Sequence, residues 1–208
     1  MSNYIQNITD SLTNLISELS SNPSLFLRNP QVNFTRNRKI SFRSLIGITM
    51  NSGGGTMSKE LLDYFDFNVN TPTVSAYTQQ RSKVLPEAFE YLFQSFTQEN
   101  ISHNNTFKGY KLIACDGSNL TIATNPSDAE TAYKSNQYGT ITNHLHLNAF
   151  FDVLNRIYLD AVLCIFRLNG TASPRQRKGC PLQTGSLLLV NSGYACSFHS
   201  VQGGTPYE

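Results

Sequence analysis

Asp116 is where chemistry could begin in this chain. It closes the apolar run Leu112-Ile113-Ala114-Cys115, whose composition predicts a buried strand. Gly117 and Ser118 follow and predict a turn, after which Leu120 to Ala123 resume an apolar/polar alternation as a second short strand. A carboxylate at the end of an apolar strand is costly to bury without a cation or hydrogen-bond donors. Asp116 is therefore expected either to cap the turn through the Gly117 and Ser118 amides or to hold a metal, and Asp-Gly-Ser alone fits both. His144 and His146 stand two apart in an alternating segment, so on a strand they share a face. That spacing could serve a metal, but no third ligand accompanies it, and surface or DNA-facing histidines are the simpler expectation. Cys115, Cys164, Cys180 and Cys196 match neither a zinc-ligand spacing nor a disulfide framework; Cys115 reads as a small core residue.

A second set of candidates is basic. Arg36, Arg38, Lys39 and Arg43 cluster around a helix start at Ser41, and Arg81 and Lys83 lie on a polar helix further on. In such settings Lys and Arg position a nucleic acid through its phosphates rather than read its bases. Short helices separated by Gly and Pro turns, with a polar basic helix among them, suit a helix-turn-helix-like DNA module. An ordinary helical bundle with solvated charges has the same pattern. Gly53-Gly54-Gly55 lacks the Lys-Ser/Thr that would make it a phosphate-cradling P-loop.

The elements that must carry these residues follow from periodicity. Ile5, Ile8, Leu12, Leu15, Ile16 and Leu19 predict an amphipathic helix over 4–20. Ser41 caps a helix whose inner face holds Phe42, Leu45, Ile46 and Thr49, and the three glycines end it. Helices are expected over 58–65 and 74–84, and another after Pro86 with Phe89, Leu92, Phe93 and Phe96 inward. The polar stretch 101–107 is the expected boundary. Beyond it, 111–115, 144–151 and 156–163 form an antiparallel meander, with a turn at 153–156 and a long polar loop over 125–142.

With 208 residues, 39% apolar and 14% charged, the chain has enough material for one good core and a small helical module. Its net charge of +2 permits nucleic-acid binding without arguing for it, so any basic patch must be local. No run approaches a membrane span, and the N-terminus lacks a basic lead and an apolar core, so an intracellular, cytoplasmic protein is expected. After Asp160 the chain has no acid until Glu208, and NGTASPRQRKGCPLQTG has no period. A segment translated out of frame would explain both losses.

Taken together, four segments resemble the DDE, RNase H-like insertion-sequence transposases, the IS-four group in particular. They are FTRNRKISF (34–42), SAYTQQRSKVLPEAF (75–89), KGYKLIACDGSNLTI (108–122) and HLHLNAFFDVLNRIYLDAVL (144–163), in matching order and spacing. The resemblance implies an α/β protein: a helical DNA-binding part at 1–105, the front half of an RNase H-like domain at 106–163 and an atypical tail at 164–208. It implies transposition through metal-dependent strand cleavage and transfer, with double-stranded DNA at element ends and a homodimeric second copy as partners. Asp116 matches the first acid of the triad and would ligate Mg²⁺ or Mn²⁺. Asn191, after the apolar run Leu187 to Val190, stands where the family carries its second acid. The third acid belongs to a later Tyr-Arg-Glu-Lys signature that this sequence does not contain, so a transposase relic unable to cleave DNA is expected.

Overall fold

The computed structural model describes residues 2–102, 104–135, 140–165, 173–174 and 186–190. The chain divides into two compact units, Met1–Asn100 and Ile101–Glu208. The division falls at the start of the expected linker.

The first unit is helical. It contains α1 (Ser2–Ser21), a short 3-10 helix (Pro23–Phe26), α2 (Phe42–Asn51), α3 (Met57–Tyr64), α4 (Val74–Arg81) and α5 (Glu87–Asn100). Three helices begin on a hydroxyl cap: Ser41 accepts from the Ser44 amide, Thr56 from Lys59 and Thr73 from Ala76. α1 packs against α5 and α2. Leu15, Leu19, Phe42, Leu45, Ile46, Ile48, Leu61, Tyr77, Ala88 and Leu92 fill the core they share. The Tyr91 hydroxyl ties α5 to α1 by donating to Glu18 Oε1 at 2.9 Å.

The helix expected over 74–84 stops at Arg81. Val84 is instead drawn into a two-residue bridge with Leu27. The Arg28 amide donates to the Lys83 carbonyl at 2.9 Å and the Leu85 amide to the Phe26 carbonyl at 2.8 Å, so a tertiary tie ends the helix before Pro86 would. The three glycines also have a partner. The Gly55 amide donates to Glu60 Oε1 at 2.7 Å, and the Gly53 amide meets both Glu60 oxygens at 3.2 and 3.1 Å. Gly54 takes φ +86°, a left-handed conformation that costs glycine nothing. The loop is a nest for an anion, and α3's own carboxylate fills it.

The second unit is a sheet built on β1 (Lys111–Ile122), β2 (Ala132–Ser135), β3 (Thr140–Asp152), β4 (Ile157–Ile165), β5 (Ser173–Pro174) and β6 (Ser186–Val190). The strand order is β5-β4-β3-β1-β6, with β2 pairing on β3. β4, β3 and β1 form the expected antiparallel meander. β6 then lies parallel to β1, Leu188 opposite Ile113 and Val190 opposite Cys115. The apolar run Leu187 to Val190 thus covers the outer edge of β1 at residues 111–115.

Two expectations are corrected. Asp116-Gly117-Ser118 makes no turn: β1 runs through it, paired without interruption to β3 from Ile113↔Asp152 to Ile122↔Asn143. Ten consecutive cross-strand pairs outweigh a local turn preference. The supposed loop over 125–142 contains β2 and the first residues of β3. Its described remainder, 125–131, is gathered by the fully buried Asn143. Its Oδ1 accepts from the Asn125 amide at 2.8 Å, and its Nδ2 donates to Thr131 Oγ1 at 2.8 Å and the Asn125 carbonyl at 3.1 Å. No helix among the described residues is long and apolar enough to cross a membrane.

Candidate functional site

Strand alternation decides what can meet Asp116. Directly paired residues share a face, so Asp116 lies on the face of Ala114, Ser118 and, across β3, Ala149. Ala161 follows on β4. Small side chains surround the carboxylate, and it is exposed. Its Oδ1 accepts the Gly117 amide at 2.9 Å, so the strand itself supplies the donor that the turn was expected to give.

The opposite face carries Ile113 and Cys115 of β1 with Asp152, Phe150, Asn148 and His146 of β3. Asp160 pairs with Phe150 and joins that face. Asp152 and Asp160 therefore cannot share a metal with Asp116 on the other side of the sheet. Asp152 is fully buried as the clamp of the β3–β4 turn. Its Oδ1 accepts from the Leu154 and Asn155 amides at 3.0 and 2.9 Å, and its Oδ2 from Asn155 Nδ2 at 2.8 Å. Asn191 lies outside the described residues; the chain reaches it directly after Val190. Among the described residues no three His, Cys, Asp or Glu side chains gather as a metal site. Asp116 is one hard anionic ligand, and a two-metal centre needs several. The described residues do not fit such a centre.

The histidines do share a face, as their spacing predicts, but His146 is no surface residue: it is 2% exposed. Its Nδ1 is 2.9 Å from Asn119 Oδ1, and its ring lies against Gly117. His144 is held between Thr142 Oγ1, 2.8 Å from Nε2, and Thr121 Oγ1, 3.4 Å from Nδ1. Both rings are engaged by neutral partners of the sheet.

In the helical unit the basic candidates separate into two groups. Arg36, Arg38 and Lys39 stand exposed on the loop 35–41, anchored by Ile40, which is 3% exposed. A groove of about 410 Å³ on one side of this loop is lined by Arg36, Arg38 and Lys83. A second, of about 480 Å³, runs between Arg38, Lys39 and the first turns of α4 at Thr73, Ala76 and Gln79. Ile40 and Gln80 border both. Lys83 Nζ donates to Gln80 Oε1 at 3.2 Å. Arg43 belongs elsewhere, its guanidinium bonded to Ser17 Oγ on α1. Arg81 sits over the Phe89 ring, 5.5 Å from its centroid.

Sequence reasoning missed how strictly acids are kept from this surface. There is no Asp or Glu between Glu18 and Glu60, nor between Asp66 and Glu87. Both grooves are lined from those two stretches, so their formal charge is purely positive. The first turn of α4 likewise holds no acid to offset its helix dipole. The overall balance of +2 conceals this segregation. Comparison with family models, curated proteins and solved structures finds no match to this chain.

Proposed function

We propose that this chain is a DNA-binding protein of DDE transposase descent whose metal-dependent strand cleavage has been lost. The observation that carries the reading is the strand pattern around Asp116. The first strand of the sheet has an antiparallel neighbour on one side, a parallel neighbour on the other, and an exposed carboxylate partway along it. An RNase H-like catalytic sheet brings its first two acids together from such a parallel pair. The sequence resemblance assigns those two positions to Asp116 and Asn191, the second a neutral amide. The acid-free grooves of the helical unit support duplex DNA as the partner.

Charge explains the loss of cleavage. Two Mg²⁺ ions bring four positive charges to a site where the described residues supply one carboxylate, and Mg²⁺ gives up its waters reluctantly. The test is a plasmid-nicking assay with Mg²⁺ or Mn²⁺, run beside a gel-shift titration on duplex DNA. The expected result is retention of DNA that weakens with salt, and no nicking above background. Asn191→Asp alone restores none, because the 208-residue chain has no Tyr-Arg-Glu-Lys acid. Cleavage by the unaltered protein that Asp116→Ala abolishes would show that the centre is intact. Failure to retain duplex DNA at low salt would sink the whole reading.

A further inference from the structure

Resting on that reading, we propose that α4 is a base-reading helix that enters the major groove, with Gln79 as its main specificity-determining residue and Arg38 and Lys39 gripping the adjacent phosphates. α4 has two different sides. Tyr77 and Gln80 are buried at 6% and 7% exposure and fix the helix on the core. The Tyr77 hydroxyl is 3.0 Å from Thr49 Oγ1 on α2, which sets the rotation of α4 about its axis. Ser75, Thr78, Gln79 and Ser82 then form an exposed stripe of small hydroxyls and one amide.

A stripe without charge or bulk is unlike a solvated surface helix, where Lys and Glu alternate. It is the chemistry that reads base edges. A glutamine amide pairs with N6 and N7 of adenine through two bonds, and Ser or Thr hydroxyls bond either donors or acceptors. Gln79 Nε2 lies 3.4 Å from Ser75 Oγ, a long contact that braces the amide and yields readily to a base. Eight residues make a helix of about 12 Å, comparable to the width of a B-form major groove.

The cations stand where the strands would pass. Arg38 and Lys39 face the first turns of α4 across the groove of about 480 Å³, and the helix's amino end adds its dipole. A phosphate seated there puts the exposed stripe beside the bases.

The test is selection from a random-sequence B-form duplex pool with the full chain, followed by salt titrations on the enriched duplex. The unaltered protein is expected to enrich a short motif containing adenine. Gln79→Ala, at an exposed position that leaves the core intact, is expected to lose about 5- to 100-fold preference at one or two base pairs. Its affinity for random duplex stays within about twofold, since phosphates supply that term. Arg38→Gln with Lys39→Gln is expected to weaken all duplexes alike and keep the motif. A-form duplex RNA, whose deep narrow groove excludes a helix, should not compete for the enriched duplex. Binding without any enriched motif, or an unchanged motif in Gln79→Ala, overturns base reading by α4 while leaving DNA binding in place. No duplex binding at all overturns both.

Discussion

His146 lies over the Cα of Gly117: a methyl group built on that glycine would stand 2.7 Å from Nε2 and 2.8 Å from Cε1 of the imidazole. The glycine that looked like a turn residue is a seat for a buried ring. Gly117→Ala should destabilise the sheet unit by about 1–3 kcal/mol, as overpacking does. Thermal unfolding measures the loss. Trimming the ring with His146→Ala should recover part of it in a double-mutant cycle, and strict additivity of the two changes would show that they do not touch.

Asp152 is a structural carboxylate. Asp152→Ala removes the acceptor for two backbone amides and the Asn155 side chain at the β3–β4 turn. A loss of about 2–4 kcal/mol is expected for charge-assisted bonds at a buried position. DNA binding by the helical unit should survive, which a gel shift at a temperature below the new melting point would show.

Acid should loosen the loop 123–131 before it affects the cores. The Asp128 carboxylate accepts Thr131 Oγ1 at 2.7 Å, and this bond, with help from the Thr131 and Glu130 amides, holds its pKa below the ordinary value. A carboxylate depressed in the folded state stabilises it above the unfolded pKa, near 4. That contribution fades as pH falls through the lower folded value. Thr131→Val should raise the Asp128 pKa toward the ordinary value. A side-chain carboxyl titration by NMR follows it directly, and an unmoved midpoint would remove Thr131 as the cause.

The two groups of cations should differ on DNA. Neutralising Arg36, Arg38 and Lys39 together should flatten the slope of log affinity against log salt by about 2 to 3 units. Arg43→Gln or Arg81→Gln should change it by less than about one unit, because Arg43 is bonded to Ser17 and Arg81 is stacked on Phe89. Equal effects from both groups would mean that these contacts break on binding.

Hydrogen exchange tests the parallel pair. With β3 on one side and β6 on the other, the amides of Ile113, Ala114 and Cys115 should be among the slowest in the sheet unit. Leu189→Pro removes the amide that faces the Ile113 carbonyl across the parallel pair and should release the β1 edge there. Fast exchange there in the unaltered chain would mean that the edge is open.

The helical unit was largely legible because its signals are local. Apolar residues recur at helical spacing in α1, and Ser41 and Pro86 mark helix starts. The end of α4 was not legible, because a contact with Leu27, far away in sequence, fixes it. The meander was readable from alternation at His144 to Phe150. β2 was hidden because Ala132, Lys134 and Ser135 are poor strand formers that gain their state from pairing with Thr140 to Asn143. Asp116 was visible as a candidate, but which carboxylates share its face depends on register, and a shift of one residue reverses every assignment. The isolation of Asp116 from Asp152 and Asp160 could be found only once the pairing was known.

The parallel pair of β1 and β6 also sets a timetable. On the ribosome β1 emerges early, and β3 and β4 can join it as they appear, because antiparallel neighbours need only short connections. Its outer edge must wait for Ser186–Val190, which are made about 70 residues after Cys115. At roughly 5–20 residues per second, the intervening synthesis of about 70 residues lasts several seconds. Through that interval the backbone of Lys111 to Cys115 is an open template beside apolar side chains, available to any other nascent strand. Closing so long a loop adds little to its entropic cost, so the vulnerability is one of time rather than of final stability. Yield of this protein in a cell should therefore depend on how fast β6 is delivered.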